Sequence, residues 1–146
     1  MARNFTVSTR VARPIEEVFR AVTSSEILCR YFCERASGDL LPGTQVTWGW
    51  EHWGSYSVLV DKVIPNERIE LVLDSKAWKK TTAVAYDVRV ILEFSSLEDG
   101  GTLVSISEEG WRTDAEGLKG SHDNCGGWQH MLDCLKGYLE HEIDLR

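Results

Sequence analysis

Hydrophobic and polar positions alternate with a period of two over most of this chain, and switch to the helical period after the first strand and again at the end. In the first alternating stretch, residues 5–11, Phe5, Val7, Thr9 and Val11 share the inward face of a predicted strand. Pro14 suits a first helical position, because its φ is preset and it has no N–H to lose. Glu16 and Glu17 complement the positive end of that helix, and Ile15, Val18, Phe19 and Val22 form its apolar stripe. A second short helix over 26–32 takes Ser24 or Ser25 as its cap and turns Leu28, Tyr31 and Phe32 inward.

From Arg35 the period returns to two. Turn signals at Ser37-Gly38-Asp39, Pro42-Gly43 and Gly54 bound a strand over 44–51 with Val46, Trp48 and Trp50 on one face. Residues 54–73 read as a hairpin around Pro65-Asn66-Glu67-Arg68, with Tyr56, Val58 and Val60 aligned. A polar stretch over 74–83, holding Trp78, interrupts the pattern before a long strand over 84–95 with Tyr86, Val88, Val90, Leu92 and Phe94 on one side. Asp99-Gly100-Gly101 turns the chain into a last strand over 102–109, where alternation puts Glu108 in the same inward row as Val104 and Ile106. A carboxylate in an apolar row requires a physical reason.

The terminal helix is predicted over 126–143, with Trp128, Met131, Leu132, Leu135, Leu139 and Ile143 as its buried stripe. Gly126 and Gly127 are poor helix formers, which suggests a backbone brought close to a strand or a cavity floor. Residues 114–120 read as a connector or a short helical turn, 112–121 as a surface loop or an entrance lid, and Ser121 as a helix cap. A long amphipathic helix needs a sheet to cover it, so the expected class is α+β.

At 146 residues and 42% apolar content, the chain is sized for one domain, 1–146, with a single core. A net charge of −7 opposes phosphate backbones and anionic lipid surfaces, and the longest basic run is Lys79-Lys80, so neither nucleic acid nor membrane is expected as a partner. The chain has no apolar signal region or spanning segment, and a cytoplasmic location is expected. Cysteines at 29, 33, 125 and 134 match no common zinc spacing, and the four histidines have no metal or triad partners at usable spacing, so no metal or cofactor is expected. There is neither a Gly-x-Ser-x-Gly segment nor a phosphate-cradling glycine loop.

Several stretches carry a family resemblance. They are Ala12-Arg13-Pro14-Ile15-Glu16-Glu17-Val18-Phe19, Leu41-Pro42-Gly43, Val63-Ile64-Pro65-Asn66-Glu67-Arg68-Ile69, Asp99-Gly100-Gly101-Thr102, Glu109-Gly110-Trp111, and Gly127-Trp128 followed by Leu132 and Leu135. In this order the chain resembles the START-like, helix-grip proteins, and within them the family named for the activator of the ninety-kilodalton heat-shock protein ATPase. The resemblance implies a curved antiparallel sheet of about six to seven strands wrapped round the long helix, two short helices after the first strand, and an internal apolar pocket. Tyr31-Phe32 stands where a typical member would carry a tryptophan on the second helix, and the six tryptophans are many for this length.

The candidate ligand-binding residues are Trp48, Trp50, Tyr56, Tyr86, Glu108, Trp128 and Met131, whose aromatic members offer flat apolar walls with N–H or O–H groups that orient a ligand, or else simply fill the core. Glu108 is the sharpest of them: buried without a cation its pKa rises, whereas at a strand end or beside an arginine it is ordinary. Three functions follow. The first is non-catalytic binding of a small hydrophobic or aromatic molecule. The second is a polyketide-cyclase-like enzyme using Glu108, Tyr56 and Tyr86. The third, implied by the resemblance, is a co-chaperone-type regulator of a heat-shock ATPase, with a chaperone contact or a homodimer as partner.

Overall fold

The computed structural model describes residues 2–74 and 86–146. The elements run β1 (Arg3–Val11), α1 (Ile15–Thr23), α2 (Ser25–Tyr31), β2 (Arg35–Ala36), β3 (Gln45–Trp50), β4 (Gly54–Ile64), β5 (Arg68–Asp74), β6 (Asp87–Ser96), β7 (Thr102–Glu109) and α3 (Ala115–His141). The strands form one antiparallel sheet in the order β1-β7-β6-β5-β4-β3-β2, and α3 lies on its inner face. This is the helix-grip architecture that the resemblance implied.

The inward rows follow the alternation. Val46 and Trp48 of β3, Val58 and Val60 of β4, Ile69, Leu71 and Leu73 of β5, Val88, Val90, Leu92 and Phe94 of β6, and Val104 and Ile106 of β7 are all buried. Trp128, Met131, Leu132, Leu135 and Leu139 of α3 close over them. The opposite face of the sheet carries charge, with Arg3, Glu93, Arg68, Glu70, Arg89 and Asp61 linked in a chain of ion pairs. Among the described residues, no helix is long and apolar enough to cross a membrane.

Several local expectations need correction. Pro14 is the N-cap of α1 rather than its first residue: its ψ of 150° is extended, and its carbonyl accepts the Val18 N–H. Helix α3 begins about three turns earlier than its apolar stripe suggested. Asp114 caps it by accepting the Gly117 N–H at 2.8 Å, so residues 115–120 are helix rather than connector, and Ser121 lies inside it, donating to the Leu118 carbonyl. The helix stops at His141, where Glu142 adopts a left-handed conformation, and Ile143 leaves the buried stripe for solvent.

The glycine expectation holds for a cavity and fails for a strand: Gly127 lines a cavity, but neither glycine is pressed against packed atoms. Gly126 and Gly127 are exposed, and a Cβ on either would meet nothing within 4 Å. The close approaches come earlier in α3, where a Cβ at Gly117 would run into the Arg112 carbonyl and one at Gly120 into the Trp111 ring. The short edge strand β2 had no separate signal in the sequence pattern. Strand β6 begins at Asp87, while Trp78 and the rest of the predicted interruption over 75–83, like residues 84–85, lie outside the described residues.

Candidate functional site

Register positions Glu108. On β7 it stands opposite Phe5 of β1 and Val90 of β6, so the pleat directs its side chain towards α3, and the residue is fully buried. Its carboxylate is surrounded by neutral donors. Trp111 Nε1 donates to Oε1 and Trp128 Nε1 to Oε2, each at 2.6 Å, and Asn124 Nδ2 reaches both oxygens at 3.2 and 3.1 Å. Gly110, at φ 104°, reverses the chain after β7 in a conformation favourable only to glycine, and Trp111 follows it directly. Asn124 also contacts the Tyr56 hydroxyl at 3.3 Å.

Burial pushes the Glu108 carboxyl above its ordinary value, and the Trp111, Trp128 and Asn124 donors oppose that rise. Burial and then the neighbouring Glu108 charge push the Tyr56 phenol well above its own ordinary value. Indole N–H groups can only donate, so Trp111 and Trp128 each need an acceptor, and each takes one oxygen of this carboxylate. The carboxylate is therefore an anchor that orients two tryptophans and one asparagine.

An aromatic wall is built on this anchor. Trp48 stacks on Tyr56 with centroids 6.2 Å apart and planes 7° from parallel, and Trp128 meets both rings edge-on. Phe32, just after α2, packs edge-on against Trp48 and Trp50, and its carbonyl accepts the Trp50 Nε1–H at 2.8 Å. In front of these rings lies a cavity of about 850 Å³ that opens to solvent. Phe32, Trp48, Trp50, Tyr56, Asn124, Gly127 and Trp128 form its walls, and Trp53, 86% exposed, stands with His52 among the residues lining it.

Of the predicted site residues, Trp48, Trp50, Tyr56 and Trp128 come together on this cavity. Glu108 lies behind the wall, bonded to Trp128 but not lining the cavity. Met131 is buried in the core, about a turn along α3 from Trp128. Tyr86, at the entry to β6, belongs to a separate cluster: it meets Trp111 edge-on, lies under the Arg112 guanidinium at 4.4 Å, and accepts the Arg112 N–H at 3.4 Å. Two strands separate it from Trp48, because β4 and β5 intervene in the sheet order.

Sequence reasoning leaves Phe32, Trp111 and Asn124 out of the site, and reaches Gly127 only as a candidate cavity floor. Asn124 did have a signal. It stands four residues before Trp128, on the same helical stripe, and is the polar partner of the other outlier, Glu108.

The fold and the site together define a helix-grip protein with an aromatic-walled cavity between sheet and long helix. Residues 12–140 match the family described as "Activator of Hsp90 ATPase homolog 1-like protein", and the chain belongs to that family. A protein from Staphylococcus saprophyticus shares 25% identity at a TM-score of 0.73, over 97% of this chain and 96% of that one. CalU16 from Micromonospora echinospora shares 23% identity at a TM-score of 0.69, over 94% and 76%. The Aha1 dimer from Colwellia psychrerythraea shares 19% at 0.73, over 94% and 97%. The last two likenesses show the fold alone. A comparison with curated proteins returned no match.

Proposed function

We propose that this protein binds a small hydrophobic or aromatic molecule, without transforming it, in the cavity between the sheet and α3. The observation that carries this reading is the cavity of about 850 Å³ with Phe32, Trp48, Trp50, Tyr56 and Trp128 on its walls. That volume falls in the range of small-molecule sites, and the ring planes are held by one another and by Glu108 before any ligand arrives. Glu108, the carboxylate behind the wall, has both oxygens occupied by donors, which favours binding over acid–base chemistry at that group.

The test is a titration of naphthalene-class probes followed by tryptophan fluorescence, with Gly127→Leu as the blocking variant. A side chain at position 127 meets open space at the cavity, so it obstructs the site while leaving the packing alone. Replacing a helical glycine also favours the helix by about 0.5 to 1 kcal/mol. The expected outcome is lost binding at an unchanged or slightly raised melting temperature. Failure of every apolar aromatic probe to bind the wild type refutes the reading.

An enzymatic reading draws on one observation, the Tyr56 hydroxyl placed at a lining residue and in contact with Asn124. The structural likeness to DynU16, a protein in the dynemicin biosynthetic locus, at 18% identity and a TM-score of 0.76, supports testing it. It requires turnover that Tyr56→Phe abolishes. The family description and the Colwellia dimer likewise support a pulldown for a chaperone contact and a sedimentation measurement for a homodimer.

A further inference from the structure

Cys29 and Cys33 take no part in the binding wall, yet they flank one of its rings. Cys29 lies on the last turn of α2 and Cys33 just beyond its end, so helical spacing brings them to one side, with the two Sγ atoms 3.7 Å apart. Cys29 is half-buried and Cys33 fully buried. The other two cysteines are on α3, where the Cys134 thiol lies against the His130 ring and Cys125 is half-buried. Sulfurs in contact have only about 1.7 Å to close before they reach the disulfide bond length of about 2.05 Å. The backbone can supply that movement, because Phe32 is the C-cap of α2 and Cys33 belongs to the connection between α2 and β2. Burial, and then the neighbouring Cys29, pushes the Cys33 thiol up to about 12, so Cys33 keeps its proton at neutral pH and an oxidant meets the more exposed Cys29 first.

Closing this pair moves the cavity wall. Phe32 stands next to Cys33 in the chain; its ring packs edge-on against Trp48 and Trp50, and its carbonyl accepts the Trp50 Nε1–H at 2.8 Å. Arg146, itself paired with Asp144, donates to the carbonyls of Cys29, Arg30 and Cys33 and lines the same cavity. A shift of the backbone at Cys33 therefore displaces one wall ring, the hold on a second, and the seat of Arg146.

We propose that Cys29 and Cys33 are a reversible oxidation site at which a peroxide forms a disulfide that loosens the aromatic wall of the cavity. The Cys29 thiolate attacks one peroxide oxygen, the O–O bond breaks, and hydroxide leaves and takes up a solvent proton, which gives a sulfenic acid at Cys29. The Cys33 sulfur then attacks the Cys29 sulfur, the S–O bond breaks, and the sulfenic hydroxyl leaves as water with the Cys33 proton. Two electrons have passed from the sulfurs to the peroxide, and a dithiol reductant returns both thiols by exchange. The oxidation site stands on the sulfur geometry, whereas its effect on ligand affinity rests on the binding function proposed above.

The test treats the whole chain with hydrogen peroxide, alkylates the remaining thiols and digests with trypsin. Cleavage after Arg20, Arg30 and Arg35 puts Cys29 in peptide 21–30 and Cys33 in peptide 31–35, so the disulfide appears as a linked pair that a dithiol releases. Cys33→Ser should stop at a sulfenic acid on Cys29, trapped by dimedone, and Cys29→Ser, at the more exposed position, should give no linked pair. Tryptophan emission, which reads the wall without a ligand, should shift on oxidation and return on reduction. 2-Ethylnaphthalene should bind the oxidised protein at least about fivefold more weakly than the reduced one, and Cys29→Ser should abolish the difference. A pair that stays reduced, or that links instead to Cys125, Cys134 or a second chain, overturns the proposal. Linked peptides with unchanged emission and equal affinity overturn the effect on the wall. If the probe binds neither form, the binding function falls, while the linked peptides and the emission still decide the oxidation site and its effect. The wild-type digest stands even if a variant fails to fold.

Discussion

Glu70 and Glu108 sit on opposite faces of one sheet, and both have both carboxylate oxygens occupied. Glu70, on the charged face of β5, is held by cations: Arg68 Nε at 2.8 Å on one oxygen, Arg89 at 2.9 Å on the other, and Lys62 at 3.8 Å. The Arg68 hydrogen bond and the nearby charges hold its carboxyl below the ordinary range. Glu108, on the inner face of β7, is held only by neutral donors, and burial drives its carboxyl upward. Bringing an arginine inside would have meant desolvating a second charge, whereas an indole carries its N–H into the core on an apolar body. The same residue type thus trims a salt-bridged surface on one side and organises an aromatic wall on the other.

The sharpest way to break this contrast is truncation. Glu108→Ala leaves two buried indole N–H groups and an amide without their acceptor and should cost about 3 to 5 kcal/mol in urea unfolding. Glu70→Ala, in an ion-pair cluster whose cations stay partly exposed to solvent, should cost about 1 kcal/mol or less and should cost less still in high salt. Comparable losses at the two positions would show that the inner donors find other acceptors. A smaller effect is expected of Trp128→Phe, which keeps a ring on the wall and removes one donor from Glu108: about 1 to 2 kcal/mol, with the Glu108 carboxyl shifted further upward. A downward shift, followed by carboxyl NMR, would contradict that account.

The smallest effect is the most diagnostic, because its sign differs between the faces. Glu108 titrates above its ordinary 4.5, so the folded state holds that proton more tightly than the unfolded chain. Its contribution is full below that value and is lost as pH rises towards the folded pKa. Glu70 titrates below 4.5, so its contribution is present above that value and is lost as pH falls through the folded pKa. Urea midpoints from about pH 3 to pH 8 should therefore lose part of their acid-side fall in Glu70→Gln and part of their decline above 4.5 in Glu108→Gln. Parallel curves for the wild type and both variants would remove the distinction.

Much of this was legible in the residues. Alternation identified the inward rows of the long strands and picked out Glu108 as the polar member of one of them, and helical spacing identified Trp128 and its stripe. The start of α3 escaped the same reasoning because its buried positions there are Gly117 and Ser121, followed by half-buried Asn124, which a hydrophobic pattern does not register. Gly120 and Gly127 show the same boundary. They are identical as letters, yet one lies against the Trp111 ring and the other faces open cavity, a difference set by neighbours distant in the chain.

By itself, then, the sequence determined which side of each long strand and of the terminal helix's apolar stripe faces the core, because period and side-chain polarity are local properties of the chain. Only the tertiary structure decided which inward residues converge. Sheet order carried Tyr86 to Trp111 rather than to Trp48, a left-handed glycine preceded one of the indoles that reach Glu108, and packing buried the Trp48 N–H without an acceptor among the described residues. Convergence depends on strand order, crossing geometry and backbone reversal across the whole domain, and none of these leaves a periodic trace in the letters.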